Sequence, residues 1–274
     1  MKLSTATSVY VNYLLEDAVE ECVGLGLDGL DIWCGRPHLY RRDYQEGVLA
    51  RIKAKLDAKK VRVVSLMPAF YRYPHSLSNP LSTVREDSIS YMRDCIDNAC
   101  TMGVNHVLIV PSPLLHGQTE AEARRLFLLS MEHVLEYAQP RGVRLGVEVL
   151  NPRLSGYMCY VKQATELIRS LAAPALLGIV LDTGHLNLSG EGFARALDMA
   201  GDSLYQIHIN DNDGKEQQNR IPGEGTFAFE DMYRELEARK YQGFLTFELG
   251  GQYAGEPAAA LSAGIRYMQQ ILGA

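Results

Sequence analysis

Short runs of Val, Ile, Leu and Phe alternate along this chain with longer segments in which apolar residues recur every three to four positions. The first pattern predicts buried parallel strands and the second amphipathic helices laid over them. Eight runs qualify as strands: Leu3-Thr7, Gly29-Trp33, Val61-Met67, Val104-Val110, Arg144-Leu150, Leu177-Asp182, Leu204-Ile209 and Gly243-Leu249, each followed by helical periodicity. Eight successive βα units predict an α/β protein whose parallel sheet closes into a (β/α)8 barrel. Thr83-Val84-Arg85-Glu86 and Thr119-Glu120-Ala121-Glu122 read as capping boxes that open the third and fourth long helices. Gly24, Gly26, Gly103 and Gly142 fall where helices must end before the next strand, a position that favours a residue without Cβ.

Length and composition narrow this picture. A (β/α)8 barrel takes about 250 residues, so residues 1–274 are expected to form one domain. No linker-like run, low-complexity segment or charge block divides them. Hydrophobic residues make up 47% and charged residues 22%, enough apolar material for a large core and too much for disorder. A net charge of −6 gives no reason to expect a polyanionic partner, so nucleic acid is not expected. The five cysteines, Cys22, Cys34, Cys95, Cys100 and Cys159, are scattered without a C-x-x-C pair and read as reduced thiols. With no long apolar run at the N-terminus or elsewhere, a membrane partner is not expected and a cytoplasmic location is.

Polar residues interrupt the apolar runs at consequential places. Glu148, Asp182, His208 and Glu248 stand at or near the ends of the fifth, sixth, seventh and eighth strands. An unpaired carboxylate is costly to bury there, and a shared cation would satisfy all four groups at once. Their spacings of about 34, 26 and 40 residues are near one βα repeat each, which puts them at the same end of adjacent strands. Three carboxylates and one imidazole make an oxygen-rich donor set suited to one divalent ion: Mn²⁺ first, with Co²⁺, Mg²⁺ or Zn²⁺ as alternatives. No G-x-G-x-x-G follows a strand, so a dinucleotide site is not expected.

The segments Leu181-Asp182-Thr183-Gly184-His185, His208-Ile209-Asn210-Asp211 and Ile221-Pro222-Gly223-Glu224-Gly225 resemble the xylose isomerase-like TIM-barrel superfamily, and the similarity spans the chain. Within it, Gly29-Leu30-Asp31-Ile32-Trp33-Cys34-Gly35-Arg36-Pro37-His38 is similar to the ketose 3-epimerases, and to their fructoselysine 3-epimerase branch in particular. The resemblance implies that Glu148, Asp182, His208 and Glu248 are metal ligands, that Glu148 and Glu248 double as the acid/base pair, and that His185 and Arg220 contact substrate. Trp33, Arg36 and His38 after the second strand, and Tyr71, Arg72, Tyr73 and His75 after the third, are candidates for the specificity wall, because function in this fold resides in βα loops. The substrate contacts expected from these are Trp33, His38 and Tyr73.

Two departures from the family pattern bear on the substrate. Ketose 3-epimerases generally carry a further glutamate six residues beyond the first metal-binding one, where this chain has Leu154; Arg153 and Ser155 are the neighbouring candidates to replace it. The three-zinc DNA-repair endonucleases of the superfamily need extra histidines, whereas this chain has Gln217-Gln218-Asn219, Met67-Pro68 and Val110-Pro111 at the corresponding places, with His116 as a remote substitute. An endonuclease is therefore not expected. The expected protein is a sugar epimerase or isomerase working through an enediolate, with 3-epimerisation of a ketose, ketose phosphate or fructosamine-like substrate favoured. An aldose-ketose isomerase or keto-polyol dehydratase would use the same site, and a non-catalytic sugar- or polyol-binding protein is the alternative of another class. A homo-oligomer, dimer or tetramer, is compatible with all of these.

Overall fold

The computed structural model describes residues 1–70, 74–171, 173 and 175–273. Eight parallel strands close in sequence order: β1 Lys2–Ala6, β2 Gly29–Trp33, β3 Arg62–Met67, β4 His106–Ile109, β5 Arg144–Glu148, β6 Leu177–Asp182, β7 Leu204–Ile209 and β8 Phe244–Phe247. Each strand pairs with its sequence neighbours, and β8 returns to β1 with Ser4 opposite Thr246. All eight runs named from the sequence form strands. Four are shorter than their apolar runs because the ladder stops where the backbone turns into a loop; Val149 and Glu248, just past β5 and β8, still bond back to Val180 O and Ile209 O at 3.2 and 3.1 Å.

Nine α-helices are found among the described residues: α1 Leu15–Gly24, α2 Glu46–Ala58, α3 Ser82–Met102, α4 Glu120–Ala138, α5 Val161–Ser170, α6 Thr183–Ser189, α7 Phe193–Ala200, α8 Phe229–Ala238 and α9 Pro257–Leu272. They bury one stripe each, as in α3, where Ser88, Tyr91, Met92, Cys95, Ile96, Ala99 and Met102 recur at helical spacing. Thr119 caps α4 by accepting a hydrogen bond from Glu122 N at 3.2 Å. The box expected at Thr83 does not form. There Asn79 Oδ1 accepts from Leu81 N at 2.9 Å and the helix begins at Ser82, so Thr83 already lies within the first turn. Gly26, Gly103 and Gly142 take positive φ as expected, while Gly24 is simply the last residue of α1.

The main apolar core lies between the barrel and its helices, and a small separate cluster fills the barrel itself: Ala6, Met67, Leu108 and Val180, with Trp33 against it. The rest of the interior is polar. Ser4 and Thr246 hydroxyls are 2.6 Å apart, and Gln206 Nε2 donates to Thr246 Oγ1 at 2.7 Å and to Asp31 Oδ2 at 2.5 Å, all fully buried. This network sits directly under the C-terminal strand ends. All five cysteines are free thiols. No helix among the described residues is long and apolar enough to cross a membrane.

Candidate metal centre

Strand register brings the four interrupting residues to one level. Glu148 lies opposite Val180, Asp182 opposite His208, and His208 opposite Thr246, with Glu248 two residues beyond. Side chains two apart along a strand share a face, so these groups converge inside the barrel mouth. One donor atom from each of Glu148, Asp182, His208 and Glu248 lies within 4.8 Å of all the others. His208 Nδ1 is 3.1 Å from both Glu148 Oε1 and Glu248 Oε2. The side chain of Glu148 is 4% exposed and that of Glu248 is 20% exposed, so Glu248 is the more open of the two to the mouth.

Charge explains the strain of this arrangement. Burial pushes the Asp182 carboxyl up to about 6; His185 draws it down, and the charges of Glu248 and Glu148 add to the rise. Burial also opposes ionisation of Glu248, but the hydrogen bond and charge of His208 outweigh it and hold that carboxyl below the usual range. At His208 burial disfavours the imidazolium, and the charge of Glu148 with hydrogen bonds to Asp31, Glu148 and Glu248 overcomes it, raising the ring well above an ordinary histidine. His208 faces three carboxylates that no Lys or Arg among the described residues pairs with. The donor set therefore fits a divalent cation, which would offset the excess negative charge that one imidazolium leaves.

Asp31 completes the arrangement. It interrupts the apolar strand β2, is fully buried, and its Oδ2 lies 3.1 Å from His208 Nε2. A proton on Nε2 donated to Asp31 would leave Nδ1, on the side where Glu148 and Glu248 stand, as the nitrogen able to meet a cation. Gln206 holds Asp31 in turn. In the sequence Asp31 stands only within the Gly29-to-His38 motif, and its break in the apolar run of β2 is the signal that marks it.

Asp182 has a second task. It caps α6, accepting from His185 N at 2.7 Å, while Asn210 Nδ2 donates to its other oxygen at 2.5 Å. Gly184 sits so close to Asn210 that a Cβ there would collide with Asn210 Oδ1. Asp211, by contrast, faces away from the centre and accepts from the backbone N–H groups of Gly223, Gly225 and Phe227, which fixes the Pro-Gly-Glu-Gly turn.

A cavity of about 560 Å³ opens above the carboxylates. Glu148 and Glu248 form its floor, Trp33, Met67, Phe70, Val110, Leu150 and Leu154 its apolar wall, and His185, Gln217 and Asn219 its polar rim. Asn151 Nδ2 donates to Gln217 Oε1 at 2.7 Å and lies 3.1 Å from His185 Nδ1. Asn219 Nδ2 donates to Glu248 O at 3.2 Å. Asn151, Gln217 and Asn219 were not singled out as site residues from the sequence, because each is an ordinary loop amide until the loops are folded together. A larger groove of about 730 Å³ beside α6, α7 and α8 has no such convergence of donor groups among the described residues.

The sequence-derived contacts divide by placement. Trp33 and His185 line the cavity. His38 does not: it is fully buried, with Nδ1 3.0 Å from Thr7 Oγ1 and Nε2 3.1 Å from Tyr10 O, and burial lowers its pKa. Arg220 lines an adjoining open groove and donates to Glu224 O at 3.2 Å. Arg36 is exposed and paired with Asp43. His75 is buried and stacked on Tyr91. Tyr71, Arg72 and Tyr73 lie outside the described residues. Ser155 Oγ accepts from Met158 N, Arg153 is exposed, and neither lines the cavity beside Leu154. The nuclease positions hold Met67 and Val110, and His116 is exposed away from the cavity.

The sequence model of one family, described as xylose isomerase-like TIM barrel, matches residues 19–271. The fructoselysine 3-epimerase of Shigella flexneri is 28% identical over 265 residues, which cover 94% of this chain and 93% of that protein. Among solved structures, D-psicose 3-epimerase in the presence of D-fructose superposes with a TM-score of 0.82 at 16% identity over the whole of both chains. The IOLI protein with a bound zinc atom gives a TM-score of 0.82 at 20% identity, covering 99% of this chain and 98% of that one.

Proposed function

The chain belongs to the xylose isomerase-like TIM-barrel family, and from that premise we propose that it is a metal-dependent sugar epimerase or isomerase, with inversion at C3 of a ketose, ketose phosphate or fructosamine-like substrate as the favoured reaction. The observation that carries this reading is the convergence of Glu148, Asp182, His208 and Glu248 at the floor of a cavity sized for a small molecule. The fructoselysine 3-epimerase relative and the D-psicose 3-epimerase fold support the substrate class, and the zinc-bearing neighbour supports a divalent ion, with Mn²⁺ favoured here for the oxygen-rich donor set.

Glu148, Asp182, His208 and Glu248 would hold the ion, which when bound supplies Lewis-acid polarisation of the substrate carbonyl and stabilises negative charge on its oxygen. Glu148 and Glu248 approach His208 from strands β5 and β8 and stand as two carboxylate bases beside the same substrate position. One removes the proton on the carbon next to the carbonyl, and the electron pair moves onto the carbonyl oxygen to give an enediolate. The other, which enters the step as the carboxylic acid, gives its proton to the opposite face and inverts that carbon, so the two groups exchange protonation states. His185, whose Nδ1 lies 3.1 Å from Asn151 Nδ2 and 3.2 Å from Gln217 Oε1, is held at the cavity rim, where its ring hydrogen-bonds a substrate hydroxyl. The wall of Trp33, Phe70 and Leu154 excludes water from the enediolate and, with no carboxylate at 154, supports a substrate that extends beyond a free ketose.

The test is a metal-supplemented screen of free ketoses, ketose phosphates and fructosamines, followed by NMR in deuterated water. Exchange at C3 with appearance of the C3 epimer is expected. Exchange at C1 or C2 with formation of an aldose would replace epimerisation by isomerisation, and no exchange with any substrate in the metal-loaded protein would leave a binding protein.

A further inference from the structure

The opposite mouth of the barrel holds a second, half-open cavity of about 290 Å³ where the strands begin, with Lys2, Arg62 and Arg144 exposed around it. Lys2 of β1, Arg62 of β3, His106 of β4 and Arg144 of β5 line it, with the amides of Asn105 and Gln242 at the edge and no carboxylate in the lining. Other basic residues of the chain, such as Arg41, Arg42, Arg141 and Arg239, pair with acids. Lys2, Arg62 and Arg144 make no such pair among the described residues, although the chain as a whole carries a net charge of −6.

Their charged heads lie over aromatic rings instead. Lys2 Nζ and Arg62 Cζ lie 5.7 and 6.0 Å from the centre of the Phe244 ring, and Arg144 Cζ is 3.7 Å from that of Tyr205. Stacking of this kind fixes a guanidinium while leaving its N–H groups free to donate. His106 is nine-tenths buried, stands edge-on to Tyr205 at 5.0 Å, and its Nε2 has no hydrogen-bond partner. Burial first, then the charges of Arg144, His208 and Arg62, push its pKa down to about 3, as expected in a positive field.

We propose that this mouth binds a phosphate-type oxyanion, inorganic phosphate or a small phosphate monoester, at a site separate from the carboxylate centre at the other end of the barrel. Two arginines with free N–H groups suit the geometry of phosphate oxygens, and Lys2 adds a point charge. The cavity has the volume of about ten waters at ~30 Å³ each, room for the oxyanion or a short ester. The N-terminal face of this fold serves stability rather than chemistry. The anion therefore relieves repulsion among three cations and stabilises the native chain by mass action.

Calorimetric titration of the metal-loaded enzyme with inorganic phosphate and with glycerol 3-phosphate, in chloride buffer of matched ionic strength, tests this. One saturable site is expected, with Tm rising with anion concentration. The Arg62→Gln/Arg144→Gln variant should bind at least tenfold more weakly with unchanged sugar turnover, and Glu248→Gln should bind as the wild type does. If the double variant does not fold, Lys2→Gln should show a smaller loss of the same kind. Preference for the ester would identify an organic phosphate, and equal affinity a free oxyanion; either supports the site. Absence of saturable binding, or binding that the arginine changes leave at wild-type strength, overturns it, and its loss in Glu248→Gln would place the anion at the carboxylate centre instead.

Discussion

Glu148 and Glu248 share His208 Nδ1 at equal distance and both line the cavity, the first more deeply buried than the second. Each change to Gln removes a base while keeping size, and is expected to lower turnover by roughly 10² to 10⁴-fold. Because both groups are also candidate ligands, metal content must be measured in the same samples. A metal-loaded single variant should still exchange the proton of one epimer with deuterated water without forming the other, and near wild-type epimerisation by Glu248→Gln would exclude two bases. Asp31 acts only through His208. Its change to Asn removes the carboxylate charge that favours the Nε2–H tautomer, leaves a neutral amide in its place, and should weaken metal binding by about 10 to 100-fold. Competition with a chelator reads this directly, and excess metal should restore most of the turnover, a rescue that a merely misfolded variant would not show.

At the scale of elements, α4 and α6 provide a contrast between a cap that only stabilises and one that also builds the site. Thr119→Ala removes the hydrogen bond to Glu122 N and should cost about 1 kcal/mol in urea denaturation, with turnover unaffected. At α6 the cap is Asp182 itself, so the helix start and the donor set are one structure. Gly184→Ala drives a methyl group into Asn210 Oδ1, which disturbs Asp182 through the Asn210 amide. A loss of about 1–3 kcal/mol, the usual cost of overpacking, should appear together with weaker metal binding. If metal affinity stayed at the wild-type value, the link from Gly184 through Asn210 to Asp182 would be broken.

Across the whole molecule, acid is expected to act through buried neutral histidines. Burial depresses His75 to about 4 and His106 to about 3, against about 6.5 for histidine in an unfolded chain. Between those values the unfolded state binds more protons than the native state. The stability these groups contribute is therefore complete above pH 6.5 and is lost as pH falls toward 4 and 3, by up to about 1.4 kcal/mol per pH unit for each. Asp182, raised to about 6, works in the opposite sense: its ionised form weakens the metal-free protein, and protonation below pH 6 relieves that. The difference between wild type and His75→Gln/His106→Gln isolates the histidines. Urea midpoints at pH 7 and pH 5.5 should show a shallower decline in the variant, and equal declines would mean that neither ring remains neutral in the native state.

The apolar runs and their eightfold alternation with helical segments were enough to determine the barrel, because strand and helix periodicities are local properties of the chain and eight βα units admit few closures. The four candidate ligands were legible for the same reason: a carboxylate or imidazole that interrupts a buried strand stands out against its neighbours, and a repeat of one βα unit places it. What the sequence could not decide was which polar residues meet after closure. Asp31 and Gln206 are 175 residues apart and touch only because β2 and β7 face one another across the barrel interior. His38 looked from its loop like a substrate contact, but the fold turns it inward onto Thr7 and Tyr10. Asn151, Gln217 and Asn219 form the cavity rim from separate loops, and Lys2, Arg62 and Arg144 gather at the far mouth from three strands. Local pattern determines which face of an element is buried, whereas partners, burial and charge at a given atom depend on contacts between distant segments, and these exist only once the barrel has closed.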